Sequence, residues 1–174
     1  MKFNDGVSLI SSPALHSAVP THWADLGCGA GFFTNVLSSL LVKGSTIYAM
    51  DSDAPGLKKV KVAEGIQLKT FAIDFVKEEW PFNKVNGIIM ANALHYVKDK
   101  GPFIKRLRQH ILADGLLLVV EYDMDAPNPW VPYPISFEAL KKLCTEYELF
   151  SPKKTNEMPS AFGRANLYGA VVRM

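Results

Sequence analysis

The stretch Ala24-Asp25-Leu26-Gly27-Cys28-Gly29-Ala30-Gly31 carries the strongest chemical signal in the chain. An acidic residue sits at the end of the short apolar run His22-Trp23-Ala24-Asp25-Leu26, and three glycines follow at alternate positions. From Phe32 onward the apolar residues Phe32, Phe33, Val36, Leu37, Leu40 and Leu41 recur at helical spacing. A strand that turns through glycines into a helix offers bare main chain and a helix N-terminus, the build of a nucleotide or nucleoside site. Asp51 ends a second apolar run, Thr46-Ile47-Tyr48-Ala49-Met50, with Ser52 beside it. A carboxylate there accepts hydrogen bonds from both hydroxyls of a ribose, each worth about 1.5–3 kcal/mol. The same charge repels a 2′-phosphate, which argues against NADP. The competing role for Asp51 and Asp53 is a turn before Pro55. Asp74, in Ala72-Ile73-Asp74-Phe75, ends a third run. Its carboxylate suits the exocyclic amine of adenine, with Phe75 over the ring face; otherwise it is a loop aspartate beside a core phenylalanine.

The glycine spacing narrows the ligand. The dinucleotide fingerprint G-x-G-x-x-G fails in both registers, because its third glycine falls on Phe32 or on Thr34. The pattern present, D-x-G-x-G-x-G, resembles the first motif of the class I S-adenosylmethionine-dependent methyltransferases. The glycine turn, the acid after the second run, Asp-Phe after the third and Asn92-Ala93-Leu94-His95-Tyr96 after the fourth together look like the small bacterial members of that family. The likeness covers Trp23 to Tyr122 by motif and the remainder by the order of strands and helices. It implies that Asp25, Gly27, Cys28, Gly29 and Gly31 shape a cofactor pocket and that Asp51 and Ser52 meet the ribose. It also implies that Asp74 and Phe75 take the adenine, and that Ala91 and Asn92 lie near the sulfonium and its methyl. The implied reaction is methyl transfer to a small-molecule acceptor, leaving S-adenosylhomocysteine. Two rivals remain at this stage, an NAD-dependent oxidoreductase and a non-catalytic module that binds the cofactor or a partner. The fourth segment lacks the Asn/Asp-Pro-Pro-Tyr of amino-methyltransferases acting on DNA. Cys28, inside the turn, reads as a small filler rather than a nucleophile.

Methyl transfer from a sulfonium is an in-line displacement, so position and desolvation are the protein's main contribution. Orientation alone supplies about 7–11 kcal/mol. His95 is the candidate general base, useful to an oxygen acceptor and unnecessary for a neutral amine. The alternative is a structural histidine bonded to nearby main chain. Substrate choice is expected in the loop from Asp125 to Pro134, where Trp130 and Tyr133 offer one wall. Pro159 to Arg164 offers another, with Arg164 available to an anionic acceptor. Both loops read equally well as surface packed on the sheet.

These residues need a sheet that delivers them to one edge. Apolar runs at His22–Leu26, Thr46–Met50, Ile66–Ile73, Val85–Met90 and Leu116–Val120 alternate with helical patterns. The helices are expected from Phe32, around Leu57 and Val60, from Gly101-Pro102 and after Ser136. Glu148–Lys153 and Leu167–Arg173 read as two final strands, paired antiparallel because no helix separates them. The expected fold is an α/β, Rossmann-like, doubly wound sheet of seven strands, mostly parallel with an antiparallel C-terminal strand. Ligands in such sheets lie beyond the carboxyl ends of the strands. Residues 1–20 read as a polar leader with one short helix begun by Ser12 and Pro13, and 21–174 as the single cofactor-binding domain. Either the leader, a second subunit in a homodimer, or nothing covers the site.

At 174 residues, 48% of them hydrophobic, the chain has enough material for one α/β core. A net charge of +2 without a basic tract does not point to nucleic acid. Cys28 and Cys144 have no metal-ligand or redox spacing. The run Leu116–Val120 is far too short to span a bilayer, and no signal core follows Met1. A soluble cytoplasmic protein is the expectation.

Overall fold

The structure, a computed structural model, describes residues 1–160 and 165–174. Seven strands form one sheet: β1 (His22–Leu26), β2 (Thr46–Asp51), β3 (Gln67–Ala72), β4 (Val85–Ala91), β5 (Ile111–Tyr122), β6 (Lys153–Pro159) and β7 (Asn166–Arg173). Their order is β3-β2-β1-β4-β5-β7-β6. β1 pairs in parallel with β2 and β4, β2 with β3 and β4 with β5, whereas β7 runs antiparallel to both β5 and β6. The order reverses between β1 and β4, and the crevice at that point is where an open α/β sheet receives its ligand.

The helices are α1 (Phe3–Ile10), α2 (Phe32–Ser38), α3 (Ala54–Leu57), α4 (Lys100–His110) and α5 (Phe137–Glu146). Both sheet faces are covered, so the central strands carry apolar residues at successive positions, and their period of two sorts these between two cores. Leu26, Ile88, Met90, Leu117 and Val119 pack with Ile104 and Leu107 of α4 and Leu140 of α5. Trp23, Ile47, Ile89, Leu118 and Val120 pack on the other face with Leu9 and Ile10 of α1 and Val36 and Leu37 of α2. Ser136 caps α5 through its hydroxyl, which accepts the Ala139 N–H at 3.1 Å. No helix among the described residues is long and apolar enough to cross a membrane.

Three expectations need correction. The leader carries α1 as well as the expected turn at Pro13–Leu15, and α1 packs on β6, β7 and α2. Gly6 hid this helix, yet it is what lets α1 approach: a Cβ there would lie 2.9 Å from both Phe32 and Val36. The penultimate strand is not Glu148–Lys153 but Lys153–Pro159. The chain leaves α5 through Glu148 in a left-handed conformation, φ 54°, and Phe150 is exposed. β6 is an edge strand, so its polar sequence did not look like one. The second helix is only the single turn α3. β5 is irregular near its start, where Asp114 has φ 64° and the pairing with β4 shifts register.

Candidate functional site

Three joined clefts lie beyond the carboxyl ends of β1, β2, β4 and β5. The first, of about 680 Å³, is floored by the glycine turn. Gly27 and Cys28 donate their N–H groups to the Met50 carbonyl at 2.8 and 3.0 Å, tying the turn to β2. Gly27, Gly29 and Gly31 all have positive φ, which only glycine adopts without strain. They are not equivalent. A Cβ on Gly29 would meet nothing within 4 Å, so its bare main chain faces the cleft. A Cβ on Gly27 would lie 2.8 Å from that of Ala93, and one on Gly31 2.7 Å from Val60. Gly31 therefore serves the packing of the turn; Gly27, Cys28, Gly29 and Ala30 line the cleft.

Asp51 holds the far side of the turn. Its Oδ2 accepts the Gly29 N–H at 2.7 Å and its Oδ1 the Asp53 N–H at 2.8 Å. Each oxygen keeps a second lone pair for a ligand. Asp25 is buried on the same cleft, with Oδ2 accepting the Thr34 hydroxyl at 2.6 Å. Burial pushes its pKa up to about 7, against the Thr34 bond and with help from the Asp51 charge. Burial also raises the Cys28 thiol, with the charges of Asp25 and Asp51 adding to it, so a thiolate is disfavoured there. Asp25 Oδ1 and Asn92 Oδ1 are buried acceptors without a partner among the described residues. Asn92 itself sits at φ 52°, its N–H held by the Val120 carbonyl at 2.7 Å.

The second cleft, of about 440 Å³, is lined by Gly27, Asp51, Ser52, Asp74, Phe75 and Tyr96, among others. Asp74 Oδ1 accepts the Val76 N–H at 2.9 Å and Oδ2 pairs with Lys77 at 2.8 Å. The Lys77 bond holds the Asp74 carboxyl below its ordinary range. Phe75 is buried against Gly27.

The third cleft, of about 520 Å³, meets the first at Asn92, Tyr96 and Tyr122 and is walled by His95, Met124, Asn128, Trp130 and Val131. His95 is buried, and its Nδ1 lies 2.7 Å from Oε2 of Glu121, itself buried. The ring lies between Tyr96 and Tyr122, at centroid distances of 4.4 and 6.5 Å. Trp130 is 71% exposed on the rim. Tyr133 reaches the site through main chain, its N–H donating to the His95 carbonyl at 3.0 Å and its own carbonyl accepting from Lys100 at 2.7 Å. Arg164 lies outside the described residues, and Pro159 and Ser160 border the first and third clefts.

Sequence reasoning places Glu121 and Tyr122 at the ligand end of the fifth strand and Asn128 in the acceptor loop without giving them a role, leaves Tyr96 open to a core role, and does not single out Met124 or Asp5. Glu121 had a signal: it is the one acid closing the run Leu116–Val120 at the site end of the sheet. Tyr96 lines all three clefts and is exposed. Asp5, on α1, borders the first cleft across from the glycine turn.

A parallel sheet with its crevice at a strand reversal, a glycine turn and an acid at the end of β2 define a nucleoside-binding α/β domain. The family model for the methyltransferase domain matches residues 24–117, more than half of the chain. The chain belongs to that family, and it is a class I S-adenosylmethionine-dependent methyltransferase. No curated protein matches the sequence. Among solved structures it is similar to an S-adenosylmethionine-dependent methyltransferase from Leishmania major, with a TM-score of 0.72 and 19% identity over 94% of this chain and 67% of the other. It is similar to the 1,6-didemethyltoxoflavin N1-methyltransferase of Burkholderia thailandensis, with a TM-score of 0.69 and 16% identity over 98% and 77%. It also resembles a methyltransferase from Aquifex aeolicus, with a TM-score of 0.65 and 15% identity over the full length of both chains. At such identities these likenesses establish the fold.

Proposed function

We propose that the chain transfers a methyl group from S-adenosylmethionine to a small planar acceptor seated in the third cleft. The carrying observation is that the glycine-floored and aromatic clefts share Asn92, Tyr96 and Tyr122. A cofactor in one and an acceptor in the other then meet at a wall of the protein's own side chains. When bound, the cofactor supplies a methyl group on a positively charged sulfur.

The residues present suit that cofactor. Gly29 leaves open space above its main chain, and Asp25 Oδ1 and Asn92 Oδ1 are buried acceptors lacking donors among the described residues. Asp51 and Ser52 would hold the ribose, Asp74 and Phe75 the adenine, and Ala91 and Asn92 the reacting end. Gly27, Cys28 and Gly29 would form the floor, and Gly31 would hold the turn's shape. For adenine to reach Asp74 Oδ2, the half-exposed ion pair with Lys77 has to yield or share, and such pairs cost little to open.

On the acceptor side, the side chains of Tyr96, Tyr122 and Trp130 offer flat aromatic faces, and Tyr133 holds the His95 main chain. The Burkholderia protein, bound to 1,6-didemethyltoxoflavin and S-adenosylhomocysteine, is one relative in fold that takes a small molecule beside its cofactor. Fluorescence titration of 7-hydroxycoumarin, a planar bicycle with an acidic hydroxyl, into protein saturated with S-adenosylhomocysteine tests the reading. Saturable binding that Trp130→Ala weakens supports it. A loaded protein that leaves the coumarin signal unchanged overturns the small planar acceptor.

A further inference from the structure

His95 and Glu121 are buried together behind the aromatic cleft, with side chains 3% and 1% exposed. Glu121 shares the sheet face of Leu117 and Val119 and so points into the core rather than to water. Its two oxygens receive two protons of one residue. Oε1 accepts the main-chain N–H of His95 at 3.1 Å, and Oε2 lies 2.7 Å from the ring Nδ1. An ionised carboxylate has no proton to give, so the ring bond needs the proton on Nδ1. In the neutral ring Nε2 is then bare. His95 borders the cleft, and the hydrogen bond its ring makes among the described residues is through Nδ1.

We infer that Glu121 is a positioning residue that fixes His95 as an Nε2 proton acceptor, and that the acceptor is a planar molecule with an acidic O–H or N–H. The inference rests on the reading of the third cleft as the acceptor site. A neutral amine would need no such base. In the step, the acceptor's proton passes to Nε2, and its oxygen or nitrogen pair bonds the methyl carbon. The pair of the broken carbon–sulfur bond stays on sulfur, and His95 later returns the proton to water.

Glu121→Gln separates this role from a merely structural one. Gln has one acceptor oxygen where Glu has two. If that oxygen keeps the main-chain N–H of His95, the amide NH₂ faces Nδ1, which must then be bare, and the ring proton moves to Nε2. Size is preserved and the base is lost. Long-range ¹⁵N–¹H correlation spectra of the whole protein at pH 8 read the tautomer directly. The expected wild type carries Nδ1–H with Nε2 bare, and Glu121→Gln shows the reverse. Glu121→Asp, which keeps two oxygens, retains the wild-type tautomer. A wild-type ring with a proton on Nε2, as the other tautomer or as imidazolium, overturns the assignment even if neither variant folds. So does an unchanged tautomer in a folded Glu121→Gln.

With S-adenosylmethionine, methylation of 7-hydroxycoumarin is expected to exceed that of 7-aminocoumarin by about 10²-fold or more, the usual contribution of a base. Equal rates, or methylation of neither, overturn the acceptor class. Loaded protein that binds no coumarin contradicts the cleft reading, whereas protein that binds it but holds the proton on Nε2 contradicts only the role of Glu121.

Discussion

At the ends of β1 and β2 the site is walled by main chain and carboxylates; at the ends of β4 and β5 it is walled by side chains. On the first side Gly29 presents bare backbone, and Asp51 is clamped by the N–H of Gly29 in the glycine turn and that of Asp53 in its own loop. On the second side Tyr96 and Tyr122 flank a histidine held by a buried glutamate, and Trp130 stands on the rim. A main-chain wall recognises what is constant in a ligand, because few substitutions alter it. A side-chain wall is changed by single substitutions, so it can follow whatever acceptor is used. One half is thus suited to a cofactor and the other to a variable substrate.

The largest effect that would sharpen this contrast is on His95. His95→Asn is expected to lower turnover of a protic acceptor by about 10²–10⁴-fold while leaving S-adenosylhomocysteine affinity within twofold of wild type. Turnover is read with labelled cofactor and affinity by calorimetry. A parallel loss of cofactor affinity would merge the two halves.

Next comes Asp25, the titrating group of the cofactor half. Its folded pKa, about 7, is raised above the ordinary 3.8, so the folded state holds a proton that the unfolded chain releases first. Stability from this group is fully present below about pH 4, falls as pH rises towards 7 and is flat beyond. The loss is on the order of 4 kcal/mol if the whole shift is expressed. Urea unfolding at pH 4.5 and pH 8 measures it, and Asp25→Asn is expected to flatten the slope. The same pH dependence in the variant would show that another group is responsible.

Two glycines of one turn should then part company. Gly27→Ala combines φ 78° with a 2.8 Å approach to Ala93, whereas Gly29→Ala meets only the strain of φ 54°. Gly29→Ala is expected to cost about 1–2 kcal/mol of stability and Gly27→Ala more, by chemical denaturation. Both are expected to weaken the cofactor, Gly29→Ala by placing a methyl in the cleft. The smallest effect on the fold is Trp130→Ala: at 71% exposure it should change stability by less than about 0.5 kcal/mol, while raising the KM for an aromatic acceptor.

The same contrast decides what the sequence revealed. The cofactor half is written in contiguous stretches, Asp25 to Gly31, Asp51-Ser52 and Asp74-Phe75, each ending a strand whose apolar run is plain. Five parallel strands and the final antiparallel pairing follow from that alternation. In the acceptor half the sequence marks His95 and the loop that holds Asn128 and Trp130 separately, but only the sheet order brings them together with Glu121, so no local pattern announces the pair His95–Glu121. β6 escaped because an edge strand needs few apolar residues, and α1 escaped because Gly6, a breaker by propensity, is there for close packing against Phe32 and Val36.

The most direct test of the two-walled site is calorimetric titration of S-adenosylhomocysteine into the wild-type protein and into Asp51→Ala. The account predicts micromolar binding to the wild type and at least tenfold weaker binding to the variant, about 1.4 kcal/mol. Equal affinities would contradict it, because the carboxylate that both braces the Gly29 turn and faces two clefts would then have no part in holding the cofactor.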